Sequence, residues 1–465
     1  MNEKTRIHFI GIGGISMSGL AEIALKNGFH VTGSDRNHSN LIEKLRLHGA
    51  VINIPHDASA VVGADLVVYT AAVKRDNPEM QRAFELDLPI LERSSYLGSI
   101  MKNYKYGIAI AGTHGKTTTT SMAGIVFKEA GFDPTILVGG EVPNIGGNVL
   151  SGESQYFITE ACEYVESFLE FFPKIGVILN IELDHLDYFR DLDHIKNSFL
   201  KFAELIPDDG TLIVSADNAN SIEVGLSSGR NLITFGVKHH ADLMAKKLSF
   251  DESGFGNFDL EFKGQHICHI KLSVPGEHNV ENALAVMAIS ITAGISPEKA
   301  SSSLTNFRGT DRRFEFIEKI NGIQVIDDYA HHPTEIKATL SAAKNIPHKK
   351  TWVVFQPHTY TRTKTLFDDF TTCFTDADVV FITDVYAARE VDPGDVDLSA
   401  LADGISATGV MCDYCSDFEV ISDIIAAGAK DGDLVFTMGA GDIFELAPMI
   451  LDKITQVNSK NPTHK

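Results

Sequence analysis

The sequence predicts an α/β chain of three units, each built on an open, mostly parallel sheet. Three observations carry this. A strand-like run at 6–10 opens through a glycine turn at 11–14 into a helical pattern over 17–26. A second apolar run at 106–111 opens through Gly112 and Gly115 into helical spacing over 121–130. Further on, strand-length runs at 322–327, 352–356, 379–383 and 434–438 are separated by stretches of helical length. At 465 residues the chain is too long for one hydrophobic core, and ~150 residues per domain predicts about three.

The elements follow in order. Residues 1–104 read as a Rossmann-like domain: the first helix stops at Gly28, and strands follow at 30–33, 65–69 and Ile90. Residues 105–315 read as a P-loop mononucleotide-binding domain with strands at 106–111, 155–159, 175–180 and 212–215. Within it, 232–274 reads as a small antiparallel excursion, and 280–293 as a long apolar helix stopped by Gly294. Residues 316–465 read as a second Rossmann-like open sheet, and the polar stretch from about 458 onward is expected to be disordered.

Composition excludes several classes. Hydrophobic content of 44% and charged content of 22% are those of a globular protein. A net charge of −22 argues against non-specific nucleic-acid binding and against docking on an anionic membrane. The longest uncharged stretch, 282–297, is too short and polar to span a bilayer, and no secretory signal is visible. Five scattered cysteines, an odd number, fit a reducing cytoplasm. Cys412 and Cys415 form a C-x-x-C without the second pair or thioredoxin-like context that a metal or redox role needs. A monomer or a homodimer is expected.

The most specific motif is Gly112-Thr113-His114-Gly115-Lys116-Thr117-Thr118. Glycine lets backbone N–H groups turn toward a polyanion, and the following helix adds its positive end. Lys116 can reach the outer phosphates of a triphosphate, and the Thr117 hydroxyl can ligand Mg²⁺. The position five before Gly115 is Ile110, a departure from the usual first glycine. Glu160 and His185 follow strands whose carboxyl ends gather ligands in open sheets, where a carboxylate or an imidazole can hold the metal. At the N-terminus, Gly11, Gly13 and Gly14, with Ser16 at the usual third glycine and Asp35 ending the next strand, fit a pyrophosphate or ribose. The same glycines alone would serve to pack helix on strand. Asn279 and Asn282 flank the start of the long helix, where Asn279 reads first as a cap. Arg312 and Arg313 read first as a solvated pair in a linker. Asp327, Asp328, Tyr329, His331 and His332 crowd one strand end, and His358, Tyr360 and Arg362 another. Polar clusters of this kind at one sheet edge favour a functional cleft, in which Arg362 could fork onto a substrate carboxylate. The pair His239–His240 reads as exposed surface.

In combination these motifs resemble the Mur ligases. The stretches are GIGGISMSGLA (11–21), GTHGKTTT (112–119), NIELDHLD (180–187), PGEHNVENA (275–283), RRFE (312–315), DDYAHHPTE (327–335), QPHTYTR (356–362) and GAGD (439–442). The resemblance implies an ATP-dependent amide-forming enzyme that works through an acyl phosphate, nearest to the branch joining L-alanine to UDP-N-acetylmuramate. It implies a UDP-sugar site at Gly11, Gly13, Gly14, Ser16 and Asp35, and a triphosphate cradle at 112–118. Mg²⁺ would rest on Thr117, Glu160 and His185. Asn279 and Asn282 would meet adenine, Arg313 the phosphates and Asp327 the ribose. Tyr329, His331, His358 and Arg362 would line the amino-acid pocket, with His331 or His358 as general base because imidazole titrates near working pH. Three positions depart from the pattern. Thr359 replaces a second pocket arginine, and Cys162 replaces an acid expected two residues after Glu160. Phe199 lies near the position where sister ligases carry a carbamoylated lysine, which the alanine-adding branch also lacks. The competing readings are a sister ligase attaching a recycled peptide to the same sugar, a nicotinamide-dependent oxidoreductase, and a non-catalytic nucleotide switch.

Overall fold

The computed structural model describes residues 5–460 and holds three sheets. The first comprises β1 (Arg6–Ile10), β2 (His30–Ser34), β3 (Val51–Asn53), β4 (Leu66–Tyr69) and β5 (Ile90–Glu92). They run parallel in the order β3-β2-β1-β4-β5, so the order reverses beside β1, which feeds the first glycine turn.

The middle sheet has ten strands. These are β6 (Tyr106–Ala111), β7 (Thr135–Val142), β8 (Gly147–Leu150), β9 (Tyr156–Ala161) and β10 (Ile175–Ile178), followed by β11 (Thr211–Ser215), β12 (Leu232–Gly236), β13 (Leu243–Phe250), β14 (Phe255–Phe262) and β15 (Gln265–Pro275). Their order is β15-β14-β13-β12-β11-β10-β6-β9-β7-β8. The antiparallel excursion expected over 232–274 is present from β13 onward, and it continues the main sheet through β12. β12 pairs parallel with β11, β13 pairs parallel with β12, and only the β13–β14–β15 meander is antiparallel. The reason is an open edge: β11 leaves ladder groups free, and the next strands satisfy them. Helix Glu277–Thr292, with Ala283 to Ser290 all buried, covers this extension.

The third sheet comprises β16 (Glu315–Ile320), β17 (Ile323–Asp328), β18 (Thr351–Phe355), β19 (Val379–Ile382), β20 (Met411–Tyr414) and β21 (Leu434–Met438), ordered β16-β17-β21-β18-β19-β20. Only β16 is antiparallel. The closing helix runs Leu446–Lys460, so the disorder expected from about 458 does not begin there, and the rest of that stretch lies outside the described residues. Among the described residues no helix is long and apolar enough to cross a membrane.

The core shows which units are fused. Phe9 and Tyr96 of the first unit share one buried cluster with Phe157, Phe168, Phe199 and Phe202 of the second. At this junction helix Arg93–Met101 lies so close to residues 164–170 that a Cβ on Gly98 would collide with the Glu170 carbonyl oxygen. The third unit keeps its own cores on the two faces of its sheet. Its link to the second unit contains two residues in the left-handed region, Arg312 (φ 60°) and Phe314 (φ 50°).

Phe168 is fully buried, stacks on Phe202 at 4.9 Å and meets Phe199 edge-on at 5.2 Å. Phe168→Ala is expected to cost about 3–5 kcal/mol in denaturant unfolding. A loss under about 1 kcal/mol would show that the junction is not packed as described.

Candidate active site

The phosphate loop forms because β6 ends in a backbone conformation that only glycine holds easily. Gly112 has φ +148°, and a side chain there would strike Leu179. Gly115 has φ +83° and serves as N-cap of helix Lys116–Glu129, with Asn282 Oδ1 where a Cβ would go. Asn180 holds the loop from below. Its Oδ1 accepts the His114 N–H at 2.7 Å, and its Nδ2 donates to the His114 carbonyl at 3.2 Å.

Lys116 is folded back onto its own loop. Its ammonium donates to the carbonyls of Gly112 and Thr113 and to both oxygens of Glu163, the nearer at 2.9 Å. Burial disfavours this ammonium, but Glu163 outweighs burial and holds the pKa at about 12. Glu163 is itself buried and was not singled out from the sequence. The signal was a second acid three residues after Glu160 at the end of β9. The acid expected at Cys162 is thus supplied one residue later, while burial pushes the Cys162 thiol up.

Thr117 Oγ1 donates to Glu160 Oε2 at 3.1 Å, and Glu160 Oε1 accepts the Gly139 N–H at 2.5 Å. A hydroxyl and a carboxylate converging at a phosphate loop are hard oxygen donors, the set Mg²⁺ prefers, so these residues fit that ion. His185 (φ 54°) lies beside the neighbouring acid, with Nε2 3.8 Å from Glu163 Oε1 and its ring against Tyr164.

Segment 180–187, which follows β10, reaches across to the third unit. Asp184 receives Arg362 as a fork, Nε to Oδ1 at 3.0 Å and Nη2 to Oδ2 at 3.3 Å. Although burial disfavours the Asp184 carboxylate, His185 and Arg362 hold its pKa far below the usual range. Thr334 Oγ1 donates to Glu182 at 2.7 Å, and His332 Nε2 donates to the Leu183 carbonyl at 3.3 Å. His332 also caps helix Pro333–Ala343, accepting from Thr334 N–H. From the loop itself, His114 Nδ1 pairs with Glu335 Oε1 at 3.2 Å, and Nε2 lies 3.5 Å from Glu182 Oε2. Burial opposes the His114 imidazolium, but Glu335 and Glu182 together raise its pKa to about 9. His114, Glu182 and His332 also bring ligand atoms within 4.8 Å of one another. Both His332 nitrogens are already committed to backbone groups, however, so the group acts as a clasp between units.

Two cavities lie along this seam. The larger, about 640 Å³, is bordered by His114, Gly115, Thr118, Asn279, Asn282 and Arg313. Asn279 and Asn282 also have structural partners: Nδ2 of Asn279 donates to Pro275 O, and Asn282 bridges Asn279 Oδ1 to Thr119 Oγ1. Arg313 stacks on Tyr329 and lies 3.7 Å from Glu335. Asp327 is placed otherwise than expected. Its carboxylate is buried, accepting from Arg312 Nε at 2.9 Å and Thr437 Oγ1 at 2.6 Å, and its neighbour Asp328 borders the cavity instead. Strand alternation is the reason, since adjacent residues of β17 point to opposite faces. The basic pair is likewise divided, because Arg312 is tied to Asp327 and to the carbonyls of Gly439 and Gly441.

The smaller cavity, about 190 Å³, brings together Tyr329, His331, His358 and Arg362 with Asp184 and Arg389. Burial and the nearby arginines push His331 down to about 3 and His358 to about 4. Neither titrates near neutral pH as expected, because both are desolvated beside guanidinium groups.

In the first unit, Asp35 Oδ2 accepts the Gly13 N–H at 2.8 Å, and the Gly11 and Ile12 N–H groups bond to Ser34 O. The acid therefore braces the turn, and the donors left for a ligand are those opening helix Ile15–Lys26, where Gly14 is the N-cap and Ser16 lies in the first turn.

A fold of this build, with a lysine-bearing phosphate loop and two cavities at the seam of docked α/β units, is that of a nucleotide-binding α/β protein. Family models match throughout: Mur ligase family, catalytic domain, over 6–105; Mur ligase middle domain over 110–290; and Mur ligase, glutamate ligase domain, over 312–441. The chain belongs to the Mur ligase family. It is 52% identical to the UDP-N-acetylmuramate–L-alanine ligase of Caldanaerobacter subterraneus subsp. tengcongensis, covering 96% of this chain and 97% of that one. It is also 52% identical to the ligase of the same name from Alkaliphilus metalliredigens, covering 97% and 98%. Among solved structures it resembles the UDP-N-acetylmuramate-alanine ligase of Thermotoga maritima, with TM-score 0.83, 31% identity, and 97% and 99% of the chains covered. A murein peptide ligase from Psychrobacter arcticus follows, with TM-score 0.73, 27% identity, and 97% and 98% covered.

The raised pKa of His114 sets a pH dependence. With about 9 in the folded state and about 6.5 unfolded, the imidazolium clasp stabilises fully below pH 6.5 and is lost as pH rises through 9. The stability gap between wild type and His114→Gln in ligand-free protein should shrink over that window in urea titrations. A gap constant from pH 6 to 10 would count against the clasp.

Proposed function

We propose that this chain is an ATP-dependent ligase joining L-alanine to UDP-N-acetylmuramate in cell-wall precursor synthesis, working in the cytoplasm. The observation that carries it is the seam: a lysine-bearing phosphate loop, and a small cavity rich in polar side chains built from two units held by the Asp184–Arg362 pair. A nucleotide switch has no use for the second cavity, and an oxidoreductase has none for the phosphate loop.

Residues 1–104 hold the UDP-sugar through the turn at Gly11, Gly13 and Gly14, the helix opening at Ser16, and the brace from Asp35. Residues 105–315 hold ATP, with the triphosphate along 112–118 and the base toward Asn279 and Asn282. Residues 316–465 bring the amino acid. The lactoyl carboxylate attacks the γ-phosphorus of ATP, giving an acyl phosphate and ADP. Lys116 leaves its loop carbonyls and follows the charge of the transferring group, and Arg313 lies at the rim of the same cavity. Thr117 and Glu160, with His185 nearby, would hold Mg²⁺, which offsets phosphate charge when bound. The amine of L-alanine then attacks the acyl carbon, the acyl C–O bond breaks, and inorganic phosphate leaves. His331 and His358 border the cavity that would receive the amine, but with their pKa values held down to about 3 and 4 they are weak acceptors for its proton. The docked third unit excludes water from the acyl phosphate.

With UDP-N-acetylmuramate and ATP, ADP release should depend on L-alanine, and Lys116→Ala should lower it about 10²- to 10³-fold. Release that ignores L-alanine and requires a tripeptide would overturn the reading in favour of the peptide-recycling ligase.

A further inference from the structure

Arg362, the guanidinium expected to take the substrate carboxylate, is already engaged. Its Nε and Nη2 go to Asp184, and its Nη1 lies 3.1 Å from His358 Nδ1 and 3.2 Å from the His358 carbonyl. Four of its five N–H donors are used before any ligand arrives. The cavity has a second guanidinium, Arg389. Among the described residues its one hydrogen bond is Nη2 to Asp187 Oδ2 at 3.2 Å, and the side chain is about half exposed, at 48%. Its plane is placed by the Tyr164 ring at 4.3 Å, and Tyr164 in turn donates to Asp187 at 2.8 Å.

The segment carrying Arg389 is fixed to the cavity wall. Tyr386 N–H donates to Pro357 O at 2.8 Å, Thr359 N–H to Tyr386 O at 2.9 Å, and Thr361 N–H to Glu390 at 3.0 Å. The Tyr386 ring stacks on His358. Thr359, a β-branched residue at φ 65°, brings no charge to this wall. The guanidinium of Arg389 is therefore both held in place and largely unoccupied.

We propose that Arg389 receives the carboxylate of the incoming amino acid, with Arg362 acting chiefly to hold Asp184 and His358 in position. Five donors in one planar fork allow Arg389 to keep Asp187 and still take a carboxylate edge-on. Arg389 is then a specificity residue that admits a free α-carboxylate and disfavours a neutral analogue, because only the anion repays desolvating the guanidinium. This inference rests on the substrate reading given above.

The test compares L-alanine with L-alaninamide, which keeps the amine and methyl but lacks the carboxylate. ADP release is measured at saturating ATP and UDP-N-acetylmuramate. Wild type should prefer L-alanine in kcat/KM. Arg389→Ala should lower the value for L-alanine about 10- to 100-fold, a range set by a charged hydrogen bond, while the value for L-alaninamide and the KM for ATP change less than about twofold. Arg389→Gln, which keeps most of the side-chain bulk, should show the same collapse of preference even if the alanine variant folds poorly. A purely structural role would lower both substrates together and leave the preference intact, and that result would overturn the assignment alone. Wild-type enzyme that uses neither compound would overturn the substrate reading and this assignment with it.

Discussion

The buried fork between Asp184 and Arg362 is the contact on which the active arrangement depends. Its partners come from different units, and both side chains are nearly inaccessible to solvent. A buried pair of this kind is weak evidence of net stabilisation, because desolvation offsets much of the attraction. Its value is geometric: removing either partner strands the other charge, so the two units have one favoured seating. The walls of the small cavity come from both sides of this contact, from Asp184 and His185 on one and from Tyr329, His331 and His358 on the other. The small cavity is therefore built jointly by the two units.

Around that fork the charges are locally balanced, despite a net charge of −22. Lys116 is neutralised by Glu163, His114 by Glu335 and Glu182, and Arg389 by Asp187. The phosphate loop contributes to two of the three clusters at this seam. Residues two apart in the chain face different partners, Lys116 turning inward to its own unit and His114 outward to the next. The phosphate loop and the contact with the third unit thus lie only two residues apart in the chain.

Much of this was legible in the sequence. The two glycine turns, the parallel strands and the clusters at strand ends follow from periodicity and punctuation, and the phosphate loop lies where its residues predict. Long-range pairing was not legible. Nothing local in the stretch around Arg389 signals that it reaches Tyr164 and Asp187, each more than 200 positions away. Glu163 is hidden beside a cysteine, with no spacing rule to mark it as the partner of Lys116. Asp327 and Asp328 are chemically identical neighbours, and only the pleat of β17 decides which meets the cavity. The histidines looked poised for neutral pH because composition carries no information on desolvation. The β12–β13 continuation was missed because a free sheet edge is a property of the assembled sheet.

The contact at Gly98 has a mechanical consequence. With no room for even a methyl group against the Glu170 carbonyl, and with Phe168 and its neighbours shared across the boundary, the first two units are packed as one continuous core. Their packing sets the separation between the first glycine turn and the phosphate loop. The third unit keeps its own cores and is joined to this pair through the short left-handed stretch at Arg312 and Phe314. The absence of one carbon atom at residue 98 thus decides how closely the first two units approach.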